Sequence, residues 1–449
     1  MKKSVTTLLS GIMILTATTL APSCQKLGNL TLNVENPAEE GTTLTISQGQ
    51  TIEIPFSIGQ LDEYTAKVSA TCDNELYTVE ATLESGATGK ITITAPEFIF
   101  EDATFNIELT AVDAENSRTV KQTIEVVAES TLQQFTAPAN CHLTTPGAFI
   151  SFAAVKGNST EAITGIAKAE LLWEDALDLV DSTFTLDGKD IYVALAGEKK
   201  GNAVVAAKDA EGTILWSWHI WVSEEDATAN SMTYVYTDAQ GTSTTFQFMD
   251  RNLGALTSEL GTADVNGCFY QWGRKDPFPG STYEGTIKDI YGANGEVTEI
   301  ASAVPEVVNN LENAIKNPTT RFCFTTSNNG NYSWITNSWS EIGMDAVKDL
   351  WGGVTKKKTI YDPCPAGYRV PQSAAWYFWS DTNVTKETVF DSADATANAN
   401  QWGKKVTIGE QSFYFPLQGE VNQGASFKEG YKKSGYGGGA TWPNGKQWH

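Results

Sequence analysis

Short runs of alternating apolar and polar residues recur between residues 30 and 127, and they restrict the fold more than any other feature. Alternation indicates a strand with one buried face, because successive side chains of a strand point to opposite faces of its sheet. About seven such strands in roughly a hundred residues are typical of an immunoglobulin-like sandwich. The sequence therefore predicts such a sandwich over 24–130, with strands at 30–34, 51–58, 66–71, 77–83, 90–94, 104–112 and 119–127.

A change in composition marks a second region, 131–228, in which tryptophan first occurs. Alternating runs at 149–155, 167–173, 202–208 and 213–222 predict a second β-sandwich module there. The last run divides its side chains between two faces, with Trp216, Trp218, Ile220 and Val222 on one and Leu215, Ser217, His219 and Trp221 on the other. Three tryptophans so close together could stack on sugar rings, but a strand that is apolar on both faces favours core or interdomain packing.

The N-terminus has the features of an export signal. Lys2 and Lys3 precede an apolar run at 5–20, which ends in small residues before Cys24. This arrangement resembles a bacterial lipobox, which implies a signal peptide at 1–23 and acylation of Cys24; ordinary secretion with cleavage nearby is the alternative. A lipid chain would anchor the protein to a membrane without spanning it. We therefore expect an outer-membrane lipoprotein at the cell surface, although 25–29 lack the acidic cluster that often accompanies outward export.

The net charge of −23 argues against a nucleic-acid partner, whose phosphates require clustered Lys and Arg. An acidic chain could bind Ca²⁺, but only through a defined cage of oxygens, so no cofactor is predicted. Five cysteines follow Cys24, without a CxxC pair, and most are expected to be small buried hydrophobes. A bridge between Cys323 and Cys364 stays possible.

The last region, 229–449, mixes strand and helix patterns and is rich in aromatic residues and glycine. Runs at 233–236 and 244–249 predict a hairpin. A helix is predicted at 304–315, with a proline in its first turn, and a shorter one at 373–379. Because loops supply much of this region, most of its tryptophans are expected to form its core.

Four segments of this region resemble a known family in the same order: FMDRNLGA (248–255), FYQWGRKDPFPG (269–280), YDPCPAGYRVP (361–371) and FYFPLQGEV (413–421). They are similar to the motifs of FISUMP domains, which occur in exported proteins of Bacteroidetes. The resemblance implies adhesion or binding and no common reaction. Segment 367–376 (GYRVPQSAAW) is also similar to the C-type-lectin-like fold of formylglycine-generating enzymes, which implies an α+β domain. Their catalytic cysteine pair is not implied, since no cysteine follows Cys364.

The expected fold is thus multidomain and mainly β, with two immunoglobulin-like sandwiches before an α+β, C-type-lectin-like domain. The expected function is non-catalytic binding or adhesion to a glycan or to a host or partner protein. The alternatives are a structural or tip subunit of a surface filament and, more weakly supported, a polysaccharide hydrolase. Aromatic rings beside charges, and a terminal stretch rich in Gly, Tyr and Trp, suggest the ligand-binding candidates Trp272, Arg274, Asp276, Tyr436, Trp442 and Trp448.

Overall fold

The structure, a computed structural model, describes residues 28–35, 43–61, 66–113, 117–259, 262–282, 286–303, 310–322, 349–353, 355–390, 402–416, 420–421 and 427–428. These residues are mainly in strands, as the sequence predicts. The chain falls into two compact units, Met1–Ser130 and Thr131–His449, called unit 1 and unit 2 below.

Unit 1 contains two four-stranded sheets that form a sandwich around one core. The sheet orders are β1-β3-β6-β5 and β2-β8-β7-β4. The strands are β1 (Thr31–Val34), β2 (Leu44–Ile46), β3 (Thr51–Gly59), β4 (Ala66–Cys72), β5 (Thr78–Ser85), β6 (Thr88–Thr94), β7 (Ala103–Asp113) and β8 (Arg118–Ala128). Burial alternates along them, most regularly in β7, where Phe105, Ile107 and Leu109 are at most 1% exposed.

All seven strands predicted in this region are confirmed, with ends that shift by one or two residues. The sequence misses β2, a three-residue strand that pairs in parallel with β8. Three residues are too few to show an alternating pattern. The core of unit 1 forms because the inward residues of both sheets leave water together, which is the dominant favourable term in folding.

Unit 2 begins with a second sandwich. Its strands are β9 (Leu132–Phe135), β10 (Cys141–Thr144), β11 (Phe149–Ala153), β12 (Lys168–Glu174), β13 (Val180–Phe184), β14 (Asp190–Leu195), β15 (Gly201–Lys208) and β16 (Ile214–Val222). One sheet has the order β13-β14-β11-β9, and the other contains β10-β16-β15-β12. Phe152 and Val193 of the first sheet and Val205, Trp216 and Trp218 of the second belong to one core.

Beyond this sandwich, the described residues of unit 2 form short strands, short helices and loops. The strands are β17 (Met232–Thr237), β18 (Ser243–Phe248), β19 (Phe269–Tyr270), β20 (Pro277–Phe278), β21 (Ile290–Tyr291), β22 (Val297–Thr298), β23 (Ala301–Ala303), β24 (Thr320–Phe322), β25 (Thr385–Phe390), β26 (Trp402–Ile408), β27 (Gln411–Pro416), β28 (Glu420–Val421) and β29 (Phe427–Lys428). The helices are α1 (Asn310–Lys316) and two 3₁₀-helices, Ala263–Val265 and Ser373–Trp379. The predicted β17–β18 hairpin and the helix at 373–379 are confirmed. The predicted helix at 304–315 is found from residue 310, and 304–309 lie outside the described residues.

Strand β16 is buried on both faces, which confirms core packing for its tryptophans. Trp216 and Trp218 face the sandwich core, while Trp221 packs against Leu253 and Tyr270 from beyond residue 228. Strands β21 and β22 also extend the β16 sheet. The sequence predicts a boundary at 228, but residues on both sides of it share this sheet. Residues that follow 228 cover the outer face of β16, where Trp221 packs in an apolar cluster and Ser217 bonds to Asp276.

Candidate functional site

Three motifs that are distant in the sequence meet around one pocket in unit 2. Its lining comes from 247–249 and 251–253, from Cys364 and 368–371, from Trp376, and from 413–415. The empty volume is about 580 Å³, including the part that is open to solvent. We call this site the motif pocket. A concave, mainly apolar wall with a few polar groups is typical of sites that bind small ligands.

The first wall follows the β17–β18 hairpin, which ends at Phe248. Beyond it the chain turns at Gly254, whose φ is +81°. A Cβ atom there would lie 2.4 Å from the Cys268 Sγ atom, so a residue with a side chain would clash. Glycine is the residue that adopts positive φ without strain. The turn lets the Leu253 carbonyl accept a 2.8 Å hydrogen bond from the Cys268 amide, which fixes 251–253 at the pocket.

Arg251, itself a lining residue, holds this wall in place through its hydrogen bonds. Its Nε and Nη2 atoms donate to the two carboxylate oxygens of Asp250 at 2.5 and 2.9 Å, and Nη2 also donates to Glu225 at 3.0 Å. Nη1 donates to the Leu256 carbonyl at 3.2 Å. Burial opposes the charge, but the bonds to Asp250 and Glu225 outweigh it and raise the pKa of Arg251. Asp250 and Arg251 therefore have a structural role in this wall.

The second wall is the loop 358–371, which is held by one lysine. The Lys358 Nζ atom donates to the carbonyls of Cys364, Pro365 and Tyr368 at 2.6 to 2.7 Å. Asp362 is fully buried and accepts 2.8 Å bonds from the amides of Cys364 and Val370. An irregular loop has few partners for its own backbone groups, and these side chains supply them.

Asn140 ties the same loop to the sandwich. Its Nδ2 atom donates to the carbonyls of Ile360 and Asp362 at 2.7 and 2.8 Å, and its Oδ1 atom accepts from Trp216 Nε1 at 3.0 Å. The buried end of the loop is thus fixed to the β16 sheet. The pocket-lining residues 368–371 follow directly from this anchored part.

Aromatic side chains form the third wall. Trp376 lies on the 3₁₀-helix, with its ring centroid 5.7 Å from that of Phe248 and 6.3 Å from that of Phe415. Phe413 and Phe415 of β27 are largely buried and belong to the same apolar cluster as Phe378. Tilted ring pairs at these distances are favourable and rigid. The wall therefore presents a preformed aromatic surface.

Of the two arginines that line the pocket, Arg369 makes fewer side-chain hydrogen bonds than Arg251. It is half-buried, and its Nη1 atom donates to the adjacent Val370 carbonyl at 3.4 Å. Its Nη2 atom donates to Gln372 Oε1 at 3.2 Å. Both contacts are local and long, and both acceptors are neutral. A guanidinium carries five N–H donors, so most of its capacity is unused by these two bonds.

Two of the predicted ligand-binding residues, Trp272 and Arg274, lie away from the motif pocket. The Trp272 ring packs on Trp351 with centroids 4.9 Å apart. Arg274 is 2% exposed and donates to the carbonyls of Ala314, Asn317, Pro318 and Thr320 around the end of α1. Burial lowers the pKa of Arg274 to about 10. Its role in the structure is to collect the carbonyl groups at the C-terminal end of this helix.

Asp276, the third predicted residue, is 3% exposed and lies on the outer face of β16. Its Oδ1 atom is 2.5 Å from Lys275 Nζ and accepts from Ser217 Oγ at 2.7 Å. Lys275 also donates to the Ser217 carbonyl at 2.9 Å and lies 4.7 Å from the Trp216 ring centroid. The charges of Arg274 and Asp276 are thus used inside the protein, and neither residue lines the pocket.

The remaining candidates, Tyr436, Trp442, Trp448 and Cys24, lie outside the described residues, as does Cys323. Cys141, Cys268 and Cys364 are buried free thiols, which confirms the expected apolar role for these three. The sequence reasoning missed Trp376 and Arg369 as pocket residues. Their position inside a segment that resembles a family motif is a usable signal.

A buried polar network links β15 and β16 to the turn at Gly254. Asn202 Nδ2 donates to Asp175 and to the Gly254 carbonyl, so its Oδ1 atom must accept from His219 Nε2, 2.9 Å away. The Tyr270 hydroxyl then donates to His219 Nδ1 over 3.3 Å. This pattern needs a neutral imidazole. Burial agrees with it, since it lowers the pKa of His219 to about 3.

The part of the chain that the structure describes contains no group of three or more His, Cys, Asp or Glu side chains arranged to hold a metal ion. Within the same residues, no helix has the length and apolar character needed to cross a membrane.

No protein-family model matches the sequence, and no curated protein matches it. Among solved structures, the D00-D0 domain of intimin is similar at 15% identity and TM-score 0.18, covering 42% of this chain and 96% of intimin's. Titin domains z1z2 in complex with telethonin give 15% identity and TM-score 0.16, covering 43% and 95%. A Bacteroides ovatus mixed-linkage glucan utilization protein, SGBP-B, in complex with a heptasaccharide gives 14% identity and TM-score 0.13, covering 45% and 49%. Likenesses this weak establish no shared function.

Proposed function

We propose that this protein is a non-catalytic glycan-binding protein, held at the cell surface by a lipid on Cys24, and that the motif pocket binds the glycan. The observation that carries this proposal is the meeting of three distant motifs around one pocket. A common structural role would not require them to share a concave surface. Within the proposal, the two sandwiches are immunoglobulin-like, and the FISUMP-like region that follows is C-type-lectin-like.

The chemistry of the pocket suits a sugar better than a purely apolar ligand. Trp376, Phe248 and Phe415 present flat aromatic surfaces, against which the C–H faces of a sugar ring can pack. Arg369, Asn252 and Gln247 bring hydrogen-bonding groups to the same site. This combination of stacking and directed polar contacts gives orientation as well as affinity.

The lining argues for binding without hydrolysis. Glycoside hydrolysis commonly uses two carboxyl groups about 5–10 Å apart across the cleaved bond. Neither Asp nor Glu lines the motif pocket in the described residues. Asp250 lies between two lining residues in the sequence, but its side chain is buried and paired with Arg251.

The test is a glycan array probed with the purified full-length protein, followed by titration calorimetry on any ligand found. Trp376→Leu removes the aromatic face but keeps an apolar side chain, and we expect it to abolish binding. Trp272→Leu is the matched control, because it changes a tryptophan of the same unit outside the pocket. Circular dichroism would confirm that both variants are folded.

Binding that is lost in Trp272→Leu and kept in Trp376→Leu would contradict the assigned site. A blank array with a folded protein would contradict glycan binding and would favour the alternative of a structural subunit in a surface assembly.

A further inference from the structure

We infer that the motif pocket recognises an acidic sugar, whose carboxylate pairs with the Arg369 guanidinium. This inference rests on the proposed glycan-binding function and names the class of glycan.

The charge balance of the pocket is the first reason. Two arginines, Arg251 and Arg369, are among the lining residues, and no carboxylate is. The charge of Arg251 is already neutralised, since its guanidinium pairs with Asp250 and Glu225 at 2.5 and 3.0 Å. Arg369 has no carboxylate within 4.0 Å among the described residues. Among the described lining residues, Arg369 therefore carries a positive charge that no carboxylate neutralises.

The geometry of Arg369 is the second reason. Its two hydrogen bonds, at 3.2 and 3.4 Å, go to neutral oxygens within three residues of it in the chain. These two bonds position the Arg369 side chain, and neither of them pairs the guanidinium with an anion. A guanidinium presents a planar fork that matches a carboxylate in a bidentate contact. A half-buried fork loses water contacts that a carboxylate ligand would replace.

The aromatic wall is the third reason, because it separates acidic sugars from other anions. Free phosphate or a small carboxylic acid would use Arg369 but is too small to cover the aromatic wall of Trp376, Phe413 and Phe415 as well. A sugar ring that bears a carboxylate satisfies both parts of the pocket at once. The overall charge of −23 does not oppose this, since at physiological salt charges further than about 8 Å away are largely screened.

The test compares ligands that differ only in the carboxylate. Affinities for a galacturonate oligosaccharide and its methyl ester, and for sialyllactose and its methyl ester, would be measured by calorimetry with the full-length protein. We expect at least one acid to bind about tenfold or more tightly than its neutral counterpart, as hydrogen bonds between charged groups imply. In Arg369→Gln that ratio should fall close to one, and Arg369→Lys should retain part of it. Trp376→Leu should weaken both members of a pair.

Equal affinity for acid and neutral forms would overturn this inference while leaving glycan binding intact. A preference that persists in Arg369→Gln would also overturn it. A sulfated oligosaccharide that binds as tightly as the acid, with the same dependence on Arg369, would contradict selectivity for the carboxylate. No binding of either neutral or acidic glycans would overturn this inference and the proposed function together.

Discussion

His219 donates a 2.9 Å hydrogen bond from Nε2 to Asn202 Oδ1, in a position where neither residue is more than 1% exposed. The bond fixes one neutral tautomer, because the Asn202 amide group is already committed to Asp175 and Gly254. It joins β16 to β15 and, through Gly254, to the first wall of the motif pocket. A change in the charge of this imidazole would therefore disturb the support of the site.

The first prediction concerns acid stability. The pKa of His219 is about 3 in the folded protein and about 6.5 when exposed, so above pH 6.5 both states are neutral and this group has no effect. As the pH falls from 6.5 to 3, the unfolded chain binds a proton that the folded chain does not. Stability should then fall by about 1.4 kcal/mol per pH unit.

Urea unfolding at pH 7, 5.5 and 4 would measure this effect by tryptophan fluorescence, since every tryptophan follows residue 130 and reports on unit 2. In His219→Gln the dependence should be shallower by that amount. His142, whose pKa burial also lowers to about 3, gives a second variant, His142→Phe. Parallel pH profiles for wild type and His219→Gln would contradict the prediction.

The second prediction concerns the buried pair Lys275–Asp276, whose side chains are 2% and 3% exposed. Lys275→Met leaves the Asp276 charge without its cation, so we expect a loss of about 3–5 kcal/mol of unfolding free energy in unit 2. The double variant Lys275→Met/Asp276→Asn should lose less than the single one. Lys316→Met breaks an exposed pair with Glu312, which water already screens, and should cost far less. If Lys275→Met and Lys316→Met lost similar amounts of unfolding free energy, the prediction that burial makes the first pair more costly to break would be wrong.

The third prediction separates backbone strain from steric clash. Gly254 and Gly241 have φ values of +81° and +83°, but only Gly254 has atoms within 4 Å of an added Cβ. Gly241→Ala should therefore cost about 1 kcal/mol through strain alone. Gly254→Ala should cost about 1–3 kcal/mol more, because the Cβ overlaps Cys268. Chemical denaturation of the two variants measures the difference, and equal costs would contradict the packing around Gly254.

The fourth prediction concerns the loop that lines the pocket. Lys358→Met leaves three carbonyl groups without their donor, so the amides of Cys364 and Val370, which bond to Asp362, should exchange with deuterium faster. Ligand affinity should fall with them, although Lys358 does not line the pocket. Lys357→Met, one residue away and exposed, is the matched control. Unchanged exchange in Lys358→Met would show that the loop is held by other contacts.

The fifth prediction concerns thiol reactivity. Burial raises the pKa of Cys268 and Cys364 well above the ordinary value, and it raises that of Cys72 while leaving the side chain partly exposed. Since the thiolate is the reactive form, Cys72 should react with iodoacetamide before the other cysteines that the structure describes. Peptide mass spectrometry over time would show the order. Labelling of Cys268 before Cys72 would contradict the burial described for unit 2.

The elements with a local signal could be predicted from the sequence, and the contacts between distant residues could not. The alternation of apolar and polar residues in β7 and β8 predicts both strands without any other contact. Asp238 and Gly241 likewise mark the turn of the β17–β18 hairpin. By contrast, Trp272 looks like a sugar platform until Trp351 covers it. Arg274 finds its carbonyl partners some 40 residues later. Nothing in the local pattern distinguishes such a buried cation from one that meets a ligand.

The motif pocket could likewise be predicted only in part. Phe248, Trp376 and Phe415 each stand in a segment that resembles a family motif, so their importance was visible in the sequence. Their closeness was not, because it depends on how the hairpin, the 3₁₀-helix and β27 pack together. Only the structure shows that a tryptophan interpreted as core also lines a cavity.

Lys358 gathers three backbone carbonyls around a charge that belongs to the chain itself. A bound calcium ion can also gather backbone carbonyl oxygens around a positive charge. Here the cation is covalently attached and is synthesised with the loop. The wall of the pocket that Lys358 holds would therefore keep its shape in surroundings where calcium is scarce or chelated, as well as where it is abundant.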